Sequence, residues 1–263
     1  MFYKIHMNIL TGRCNLSIAP LRAEASHRSE MVSQVLFGEQ FAILEESEEW
    51  VFIRLENPLY EGWLQKGQFV VLEALPGGTD ILQQSLVVDL SGAIARSSLR
   101  ELDLLPSTQV VINDYSSQTE EWFEIEGKLR KPSLKDFESE FPGLVAYYKD
   151  SPYLWGGRSR YGIDCSGLSL AIFRHFGLAL PRDAYQQAEE GEVVNFLPEI
   201  KAGDLAFFDN AEGRITHVGI MLDAETILHA SARVRIDKMD SEGIFNKEWN
   251  KYTHKLRIVK RYF

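Results

Sequence analysis

The stretch Gly162-Ile163-Asp164-Cys165-Ser166-Gly167-Leu168 decides how the C-terminal half of this chain is interpreted. Cys165 stands directly before a helical apolar pattern formed by Leu168, Ala171 and Ile172, which places it at a helix N-terminus. The unpaired backbone N–H groups and the macrodipole at such a position favour an anion. We therefore expect the thiolate of Cys165, the form that attacks carbonyl groups, to be favoured.

Two histidines follow Cys165 in segments that have the alternation of strands. His217 lies in the sequence ITHVGI, and His229 lies in the sequence ILHA. Alternation places His217 and the small Gly219 on one face, where an imidazole reaches a cysteine packed over the sheet. The pattern predicts Cys165 as nucleophile, His217 as base and His229 as the residue that orients the base.

Each of these residues also has a structural interpretation. A lone cysteine in an apolar segment is usually a small buried hydrophobe, and Cys14 is interpreted in that way. For His217 and His229 the alternative is a hydrogen-bonded position inside a sheet core. The remaining histidines have no comparable context and are expected to be surface or structural residues: His6, His27, His175 and His254.

Composition excludes several classes of partner. The chain has 263 residues, a hydrophobic content of 45% and a formal net charge of −10. This charge gives no electrostatic case for nucleic acid or for an anionic membrane surface. No apolar run is long enough for a membrane span, and residues 1–10 lack the core of a signal peptide. We expect a cytoplasmic protein if the chain is complete, and a periplasmic or secreted one if a leader was removed.

No metal or cofactor site is predicted. The chain contains no Cys-x-x-Cys pair and no His-Glu-x-x-His helix, the two common zinc patterns. The glycines at 77 and 78 lack the Lys-Ser/Thr end of a phosphate-binding loop. The two cysteines are far apart and do not indicate a disulfide framework.

The chain is predicted to contain three domains. Residues 1–71 hold short strands separated by polar turns, the pattern of a small barrel, and Leu75-Pro76-Gly77-Gly78 marks its end. Residues 72–132 repeat this pattern more weakly and are predicted as a second, degenerate barrel, although residues 96–105 fit no strand period. Residues 133–263 form the third domain, with Ser133 a candidate helix cap.

Helices precede strands in the third domain. Helices are predicted over residues 133–149, where Pro142 is a potential break, over 165–176 with Gly177 as a stop, and over 182–190. Strands are predicted over residues 204–209, 215–222, 226–231, 234–238 and 256–263. This order predicts an α+β fold with an antiparallel sheet.

Five motifs occur in a fixed order around the cysteine: YLWGG at 153–157, GIDCSGL at 162–168, LPRD at 180–183, AGDLAFF at 202–208 and THVGI at 216–220. Over about residues 135–263 they resemble the NlpC/P60 cysteine peptidases, which are papain-like peptidoglycan hydrolases. Residues 19–64 look like a bacterial SH3-like (SH3b) domain. The combination resembles the γ-D-glutamyl-L-diamino acid endopeptidases, or dipeptidyl-peptidase VI branch. The implied fold is a papain-like domain, with helices on an antiparallel sheet, after one or two SH3-like barrels.

The resemblance implies roles for residues around Cys165. The hydroxyl of Tyr153 would help to polarise the scissile carbonyl beside the backbone N–H of Cys165, and Trp155 would line the mouth of the site. Asp164 and Ser166 would bind the free amine of the substrate's L-Ala. The alternatives are aromatic packing under a loop for Tyr153 and Trp155, and a simple helix cap for Asp164.

The first SH3-like domain would complete the amine pocket, as the resemblance implies. Tyr60, just before Gly-Trp, would supply a hydroxyl, and either Glu24 or Glu30 would supply a carboxylate; the sequence does not choose between them. The alternative is that all three are ordinary residues of a barrel surface. One departure is Ala184, because the family often has serine at this position, so one hydrogen bond to substrate is missing or supplied otherwise.

We therefore expect a monomeric cysteine peptidase that cleaves the bond between γ-D-Glu and a diamino acid in murein peptides with a free N-terminal L-Ala. Its place would be the recycling of cell-wall peptides. One alternative is a broader NlpC/P60 lytic endopeptidase that acts on intact wall. Another is a non-enzymatic module whose SH3-like domains bind murein, which the full set of Cys165, His217 and His229 argues against.

Overall fold

The structure is a computed structural model that describes residues 10–72, 85–111 and 123–263. The chain forms two compact units, residues 1–131 and 132–263. The segment Leu75-Pro76-Gly77-Gly78 and residues 1–9 lie outside the described residues, as do residues 112–122. The division of the first unit into domains at residue 71 therefore stays a prediction.

Residues 10–72 of the first unit form an SH3-like barrel, as their alternating pattern predicts. The antiparallel sheet has the order β3-β2-β6-β5-β4-β1-β7. Its strands are β1 Thr11–Cys14, β2 Ile18–Arg22, β3 Met31–Leu36, β4 Gln40–Glu46, β5 Trp50–Glu56, β6 Leu59–Gln65 and β7 Phe69–Leu72. Alternate apolar side chains such as Leu21, Ile53 and Leu64 form the buried core, which includes Cys14. The apolar interpretation of Cys14 is confirmed.

A second sheet follows in the same unit. Its described strands are β8 Ser85–Arg96, β9 Glu101–Leu104, β10 Gln109–Val111 and β11 Glu124–Arg130, in the order β10-β8-β11 with β9 also on β8. The expectation that residues 96–105 fit no strand was wrong, because β9 pairs with the end of β8. Leu102 and Leu104 alternate toward a core that contains Phe37 and Phe123.

The helices of the second unit follow the predicted order. They are α1 Phe137–Tyr148, α2 Cys165–His175 and α3 Ala184–Gln187. Ser133 caps a 3-10 turn before α1 by accepting from the N–H of Lys135. Pro142 does not break α1, contrary to expectation, because the buried Phe141 and Leu144 anchor the helix on both sides of it. Among the described residues, no helix has the length and apolar character to cross a membrane.

The sheet of the second unit closes on itself. A hairpin of β12 Arg158–Ser159 and β13 Gly162–Ile163 precedes α2. The sheet contains β14 Glu192–Val193, β15 Leu205–Asp209, β16 Ile215–Met221, β17 Thr226–Ser231, β18 Arg233–Met239, β19 Gly243–Asn246 and β20 Lys251–Arg261. The order is β14-β20-β15-β16-β17-β18-β19, and β20 also pairs with β19. The predicted mixture of helices and antiparallel strands is confirmed; β19 was not predicted, and the papain-like arrangement stays a prediction.

Helix α2 is the element that places Cys165. Its N-cap is Asp164, whose side chain accepts from the N–H of Gly167, and every residue of the helix is buried. The chain leaves the helix at Gly177, which has a φ of +86° that favours glycine. Because α2 packs against β16 and β17, its N-terminus lies beside the strand that carries His217.

The first turn of α2 has no room for a side chain at Gly167. A Cβ built there would lie 2.2 Å from the carbonyl oxygen of Gly157. Helix propensity alone predicts that Gly167→Ala stabilises the protein by about 1 kcal/mol. We expect the opposite, a loss of about 1–3 kcal/mol in the free energy of unfolding, because the backbone of Gly157 has to move. Thermal or urea unfolding measures this, and a variant as stable as the wild type would contradict it.

Candidate active site

Cys165 lies at the junction of α2 and β16. It is 8% exposed, and its thiol contacts the backbone of Val218, the residue after His217, in a hydrogen bond. The predicted nucleophile and the predicted base thus come from neighbouring elements of one unit. The sequence separation of 52 residues between Cys165 and His217 is closed by the packing of α2 on the sheet.

The register of β16 and β17 brings His217 and His229 together. Gly219 pairs with His229, so His217 is the diagonal neighbour of His229 on the same face. A Cβ at Gly219 would lie 2.6 Å from Cδ1 of Ile227 and 3.0 Å from Cβ of His229, so the glycine makes space for both side chains. The Nε2 atom of His217 is 3.0 Å from Nδ1 of His229, and the two rings meet edge to face.

The hydrogen-bond chain continues to Asp237, which sequence reasoning missed. Nε2 of His229 is 3.1 Å from Oδ2 of Asp237, and Nη2 of Arg235 donates to Oδ1 of Asp237 over 3.0 Å. On β18, Arg235 pairs with His229 and Asp237 pairs with Ile227, which places all of these polar groups on one face. The signal was present in β18, where the polar Arg235 and Asp237 alternate with residues of the opposite face such as the exposed Ile236.

His254 is also part of the site, contrary to the expectation of a surface or structural residue. Its ring stacks on that of His217, with centroids 4.1 Å apart and planes inclined by 24°. It reaches this position from β20, and Phe208 of β15 also contacts both rings. His175, by contrast, has the expected structural role, since it is fully buried and its Nε2 is 2.8 Å from Glu140.

The three imidazoles are neutral and lie next to an ionised carboxylate. Burial lowers the pKa of His217 well below 6.5, and the neighbouring His254 and His229 lower it further. Burial also lowers the pKa of His229, and it lowers that of His254 to about 4. Burial acts to raise the pKa of Asp237, but the hydrogen bonds from His229 and Arg235 hold it below its usual value.

The thiol of Cys165 is not ionised in the resting site, which corrects the expectation of a favoured thiolate. Burial raises the pKa of Cys165 to about 12, and the charge of Asp164 acts in the same direction. The hydrogen bond with Val218 and the charge of Arg182 oppose this shift without overcoming it. The resting pair is therefore a thiol with a neutral imidazole, in which His217 has to accept the proton as a general base.

Asp164 holds the site together through a buried ion pair with Arg182. The guanidinium donates to both carboxylate oxygens, over 2.6 and 3.1 Å, and also to Oγ of Ser166 over 2.9 Å. The same carboxylate accepts from the N–H groups of Gly156 and Gly167 over 2.8 and 2.6 Å. These contacts favour the capping role of Asp164, and its role as an amine ligand stays a prediction. Sequence reasoning assigned no role to Arg182.

Tyr153 and Trp155 flank the cysteine in different ways. Tyr153 is half-buried, and its backbone forms a bridge to Ile163, two residues before Cys165. Burial raises the pKa of its hydroxyl, and the neighbouring Cys165 and Asp164 raise it further, so the hydroxyl stays protonated and can donate. Trp155 is 60% exposed, which suits a residue at the mouth of a site.

The other predicted substrate residues belong to the first unit. Tyr60 lies on β6, half-buried, and packs against the barrel core. Glu24 and Glu30 are both exposed between β2 and β3. Their roles toward a substrate amine stay predictions.

Three histidines of the site lie close together. His217, His229 and His254 each offer a nitrogen within 4.8 Å of the others. Nε2 of His217 faces Nδ1 of His229 over 3.0 Å, an arrangement that suits proton transfer between the two rings.

Comparison with known proteins identifies related chains for both units. Residues 150–257 match the NlpC/P60 family, and residues 21–69 match the bacterial dipeptidyl-peptidase Sh3 domain. The chain is 31% identical over 212 residues to a gamma-D-glutamyl-L-lysine dipeptidyl-peptidase of Bacillus subtilis, covering 75% of this chain and 71% of that protein. It is 34% identical over 170 residues to the murein DD-endopeptidase MepS/murein LD-carboxypeptidase of Escherichia coli K12, covering 63% and 86%.

A solved structure shows the same fold. The crystal structure of an NlpC/P60 family protein from Bacillus cereus aligns with a TM-score of 0.71 and 18% sequence identity. The alignment covers 96% of this chain and 99% of that one.

The stacked His254 predicts an unusual pH dependence. Because only neutral His217 accepts a proton, its lowered pKa means that kcat/KM holds as the pH falls past 6.5 and declines only at lower pH. We expect His254→Asn, which opens the ring of His217 to water, to move this decline upward toward 6.5. His254→Phe keeps the ring of His217 buried and should therefore move the pH of this decline less. A wild-type decline at or above pH 6.5, or an unchanged profile in His254→Asn, would refute this explanation.

Proposed function

The chain belongs to the NlpC/P60 family of peptidoglycan peptidases, and on that premise we propose that it hydrolyses the bond between γ-D-Glu and a diamino acid in murein peptides. The proposed substrate carries a free N-terminal L-Ala, as in peptides released during recycling of the wall. The observation that carries this proposal is the placement of Cys165 beside β16, whose His217 is hydrogen-bonded to His229. The name of the Bacillus subtilis relative supports the choice of bond.

The first half of the reaction transfers an acyl group to Cys165. As Sγ attacks the γ-carbonyl carbon of D-Glu, its proton passes to Nδ1 of His217, the ring nitrogen that His229 leaves available. The backbone N–H of Cys165 and the protonated hydroxyl of Tyr153 stabilise the oxyanion. The bond to the diamino acid then breaks, and His217 returns the proton to the departing amine. The product is a thioester on Cys165 and a free diamino acid end.

The second half hydrolyses this thioester. Water attacks the thioester carbonyl while His217 accepts one of its protons, and the same oxyanion donors act again. The carbon–sulfur bond breaks, Sγ of Cys165 regains the proton from His217, and L-Ala-γ-D-Glu leaves with a new carboxylate. The resting pair of thiol and neutral imidazole is restored.

The Escherichia coli relative gives a reason to test a second function. Its name describes a murein DD-endopeptidase and LD-carboxypeptidase, and it is 34% identical to this chain over 170 residues. A broader lytic activity on intact wall is therefore the alternative candidate. Release of soluble peptides from purified sacculi would favour it, whereas cleavage confined to free tripeptide favours the proposed function.

The catalytic assignment predicts a graded series of losses. Cys165→Ala and His217→Ala should each reduce kcat by about 1000-fold or more, because each removes a member of the reacting pair. His229→Ala should cost less, about 10- to 100-fold, because it only orients the base. Mass spectrometry of L-Ala-γ-D-Glu-diaminopimelate after incubation measures the turnover.

The matched control for this series is Cys14→Ala. It removes a second buried thiol, from the barrel core of the first unit, and folded protein should keep wild-type kcat. Wild-type turnover by Cys165→Ala, or loss of turnover by Cys14→Ala, would show that the nucleophile is misassigned.

Recognition of the free amine gives the sharpest test of specificity. A carboxylate that is desolvated when it binds the L-Ala amine would be left unpaired when that amine is acetylated. Such a loss is about 2–5 kcal/mol, or roughly a 30- to 4000-fold drop in kcat/KM. Comparison of kcat/KM for free and acetylated tripeptide tests this. Equal values would contradict recognition of the free amine.

Variants identify the residues of the pocket. Glu24→Gln and Glu30→Gln form a matched pair, and the one that binds the amine should narrow the ratio between free and acetylated substrate. Asp164→Asn should lower both rates together, because the contacts of Asp164 are those of a cap and an ion pair. A narrowed ratio in Asp164→Asn would instead restore its predicted role as an amine ligand.

A further inference from the structure

We propose that Asp237 is a positioning residue that fixes the protonated nitrogens of His229 and His217, so that Nδ1 of His217 is the base offered to Cys165. The inference rests on the proposed function in one respect, namely that Cys165 and His217 are the reacting pair. It adds a fourth residue behind the nucleophile, the base and His229.

The first step concerns the charge of Asp237. The residue is 7% exposed and receives hydrogen bonds on both oxygens, from His229 on Oδ2 and from Arg235 on Oδ1. In addition, Nε of Arg235 lies 2.7 Å from Oδ2 of Asp237. A carboxylate surrounded by these donors is ionised, and an ionised carboxylate can only accept.

The second step follows the protons outward from Asp237. Because Asp237 only accepts, Nε2 of His229 must carry the hydrogen that it donates over 3.1 Å. Neutral His229 then has a bare Nδ1, which must accept from Nε2–H of His217 over 3.0 Å. Neutral His217 is left with a bare Nδ1. Each proton position is thus set by the residue behind it.

The third step concerns the proton that His217 takes from Cys165. This transfer creates an imidazolium in a buried site, where an unpaired charge is costly. His229 conveys the charge of Asp237 to His217 through two aligned hydrogen bonds, as the acid of a catalytic triad stabilises its imidazolium. Asp237 therefore favours the neutral tautomer of His217 that has a bare Nδ1, and it also stabilises His217 once it is protonated.

Arg235 binds two carboxylates, and Asp237 is the buried one of the two. Nη1 of Arg235 donates to Oε2 of Glu248 over 3.1 Å, and Glu248 also accepts from Arg233 over 2.9 Å. Glu248 lies at the exposed side of Arg235, whereas Asp237 lies at the buried side. The arginine holds Asp237 in place at both oxygens, and Oδ2 also accepts from His229.

Glu248 also provides a matched control. Asp237 and Glu248 are both carboxylates that bind Arg235, and of these two it is Asp237 that is hydrogen-bonded to His229. We expect Asp237→Asn to lower kcat by about 10- to 100-fold, the range for loss of a carboxylate behind a functional histidine. KM should stay near the wild-type value, because Asp237 meets no substrate. Glu248→Gln should leave kcat close to wild type.

A second measurement needs no substrate. The rate at which iodoacetamide alkylates Cys165 at neutral pH reports proton transfer to His217, and it should fall in Asp237→Asn in parallel with kcat. If wild-type protein fails to cleave the murein tripeptide, the proposed function is wrong, yet the alkylation rates still decide the role of Asp237. Equal alkylation of Asp237→Asn and wild type would overturn the inference, as would an equal loss in Glu248→Gln.

Asp237→Asn leaves Arg235 with one buried partner fewer, which threatens the fold. The double variant Asp237→Asn/Arg235→Gln removes both charges of the pair, an exchange that buried ion pairs tolerate better than loss of one partner. Its melting temperature is checked first. The folded double variant should show the same losses of kcat and alkylation rate as Asp237→Asn. Recovery to wild-type rates would mean that Asp237 serves only to pair Arg235, and the inference would fail.

Discussion

The hydrogen-bond chain from His217 through His229 to Asp237 is the interaction on which the proposed chemistry of this protein depends. Burial keeps the thiol of Cys165 protonated, with a pKa raised to about 12, so reaction requires a base with a bare nitrogen. The hydrogen bonds from His217 to His229 and from His229 to Asp237 supply that base by keeping the proton of His217 on Nε2. The proposed reaction is thus general-base activation of a buried thiol, not use of a thiolate stored at a helix end.

Two packing constraints hold this chain against α2. Within the sheet, Gly219 has no side chain and so leaves space for the side chains of Ile227 and His229. At the helix, the buried pair of Asp164 and Arg182 fixes the first turn that begins with Cys165. The same acid accepts from backbone N–H groups before and inside the helix, so its contacts are structural. The position of Cys165 therefore depends on Asp164. If Asp164 also bound a substrate amine, the same carboxylate would have to serve both roles.

The sequence predicted what local patterns determine. The strands of the barrel, the helix that begins at Cys165 and its end at Gly177 all follow from alternation, capping and glycine conformation. Asp237 and His254 were missed because their roles come from cross-strand register and from the pairing of β20 with β19. The alternation in β18 gives the face of Asp237 but not its partner His229. The prediction of a favoured thiolate at Cys165 was wrong for a similar reason, since the depth of burial of this residue depends on the packing of the whole unit.

The most direct test is the tautomer of His217 in the resting protein, measured by 15N NMR of histidine-labelled wild type at neutral pH. The rings of His217 and His229 are assigned with His217→Gln and His229→Gln. The structure predicts neutral rings with the hydrogen on Nε2 of both, and a bare Nδ1 on His217. A hydrogen on Nδ1 of His217, or an imidazolium at this pH, would contradict the account.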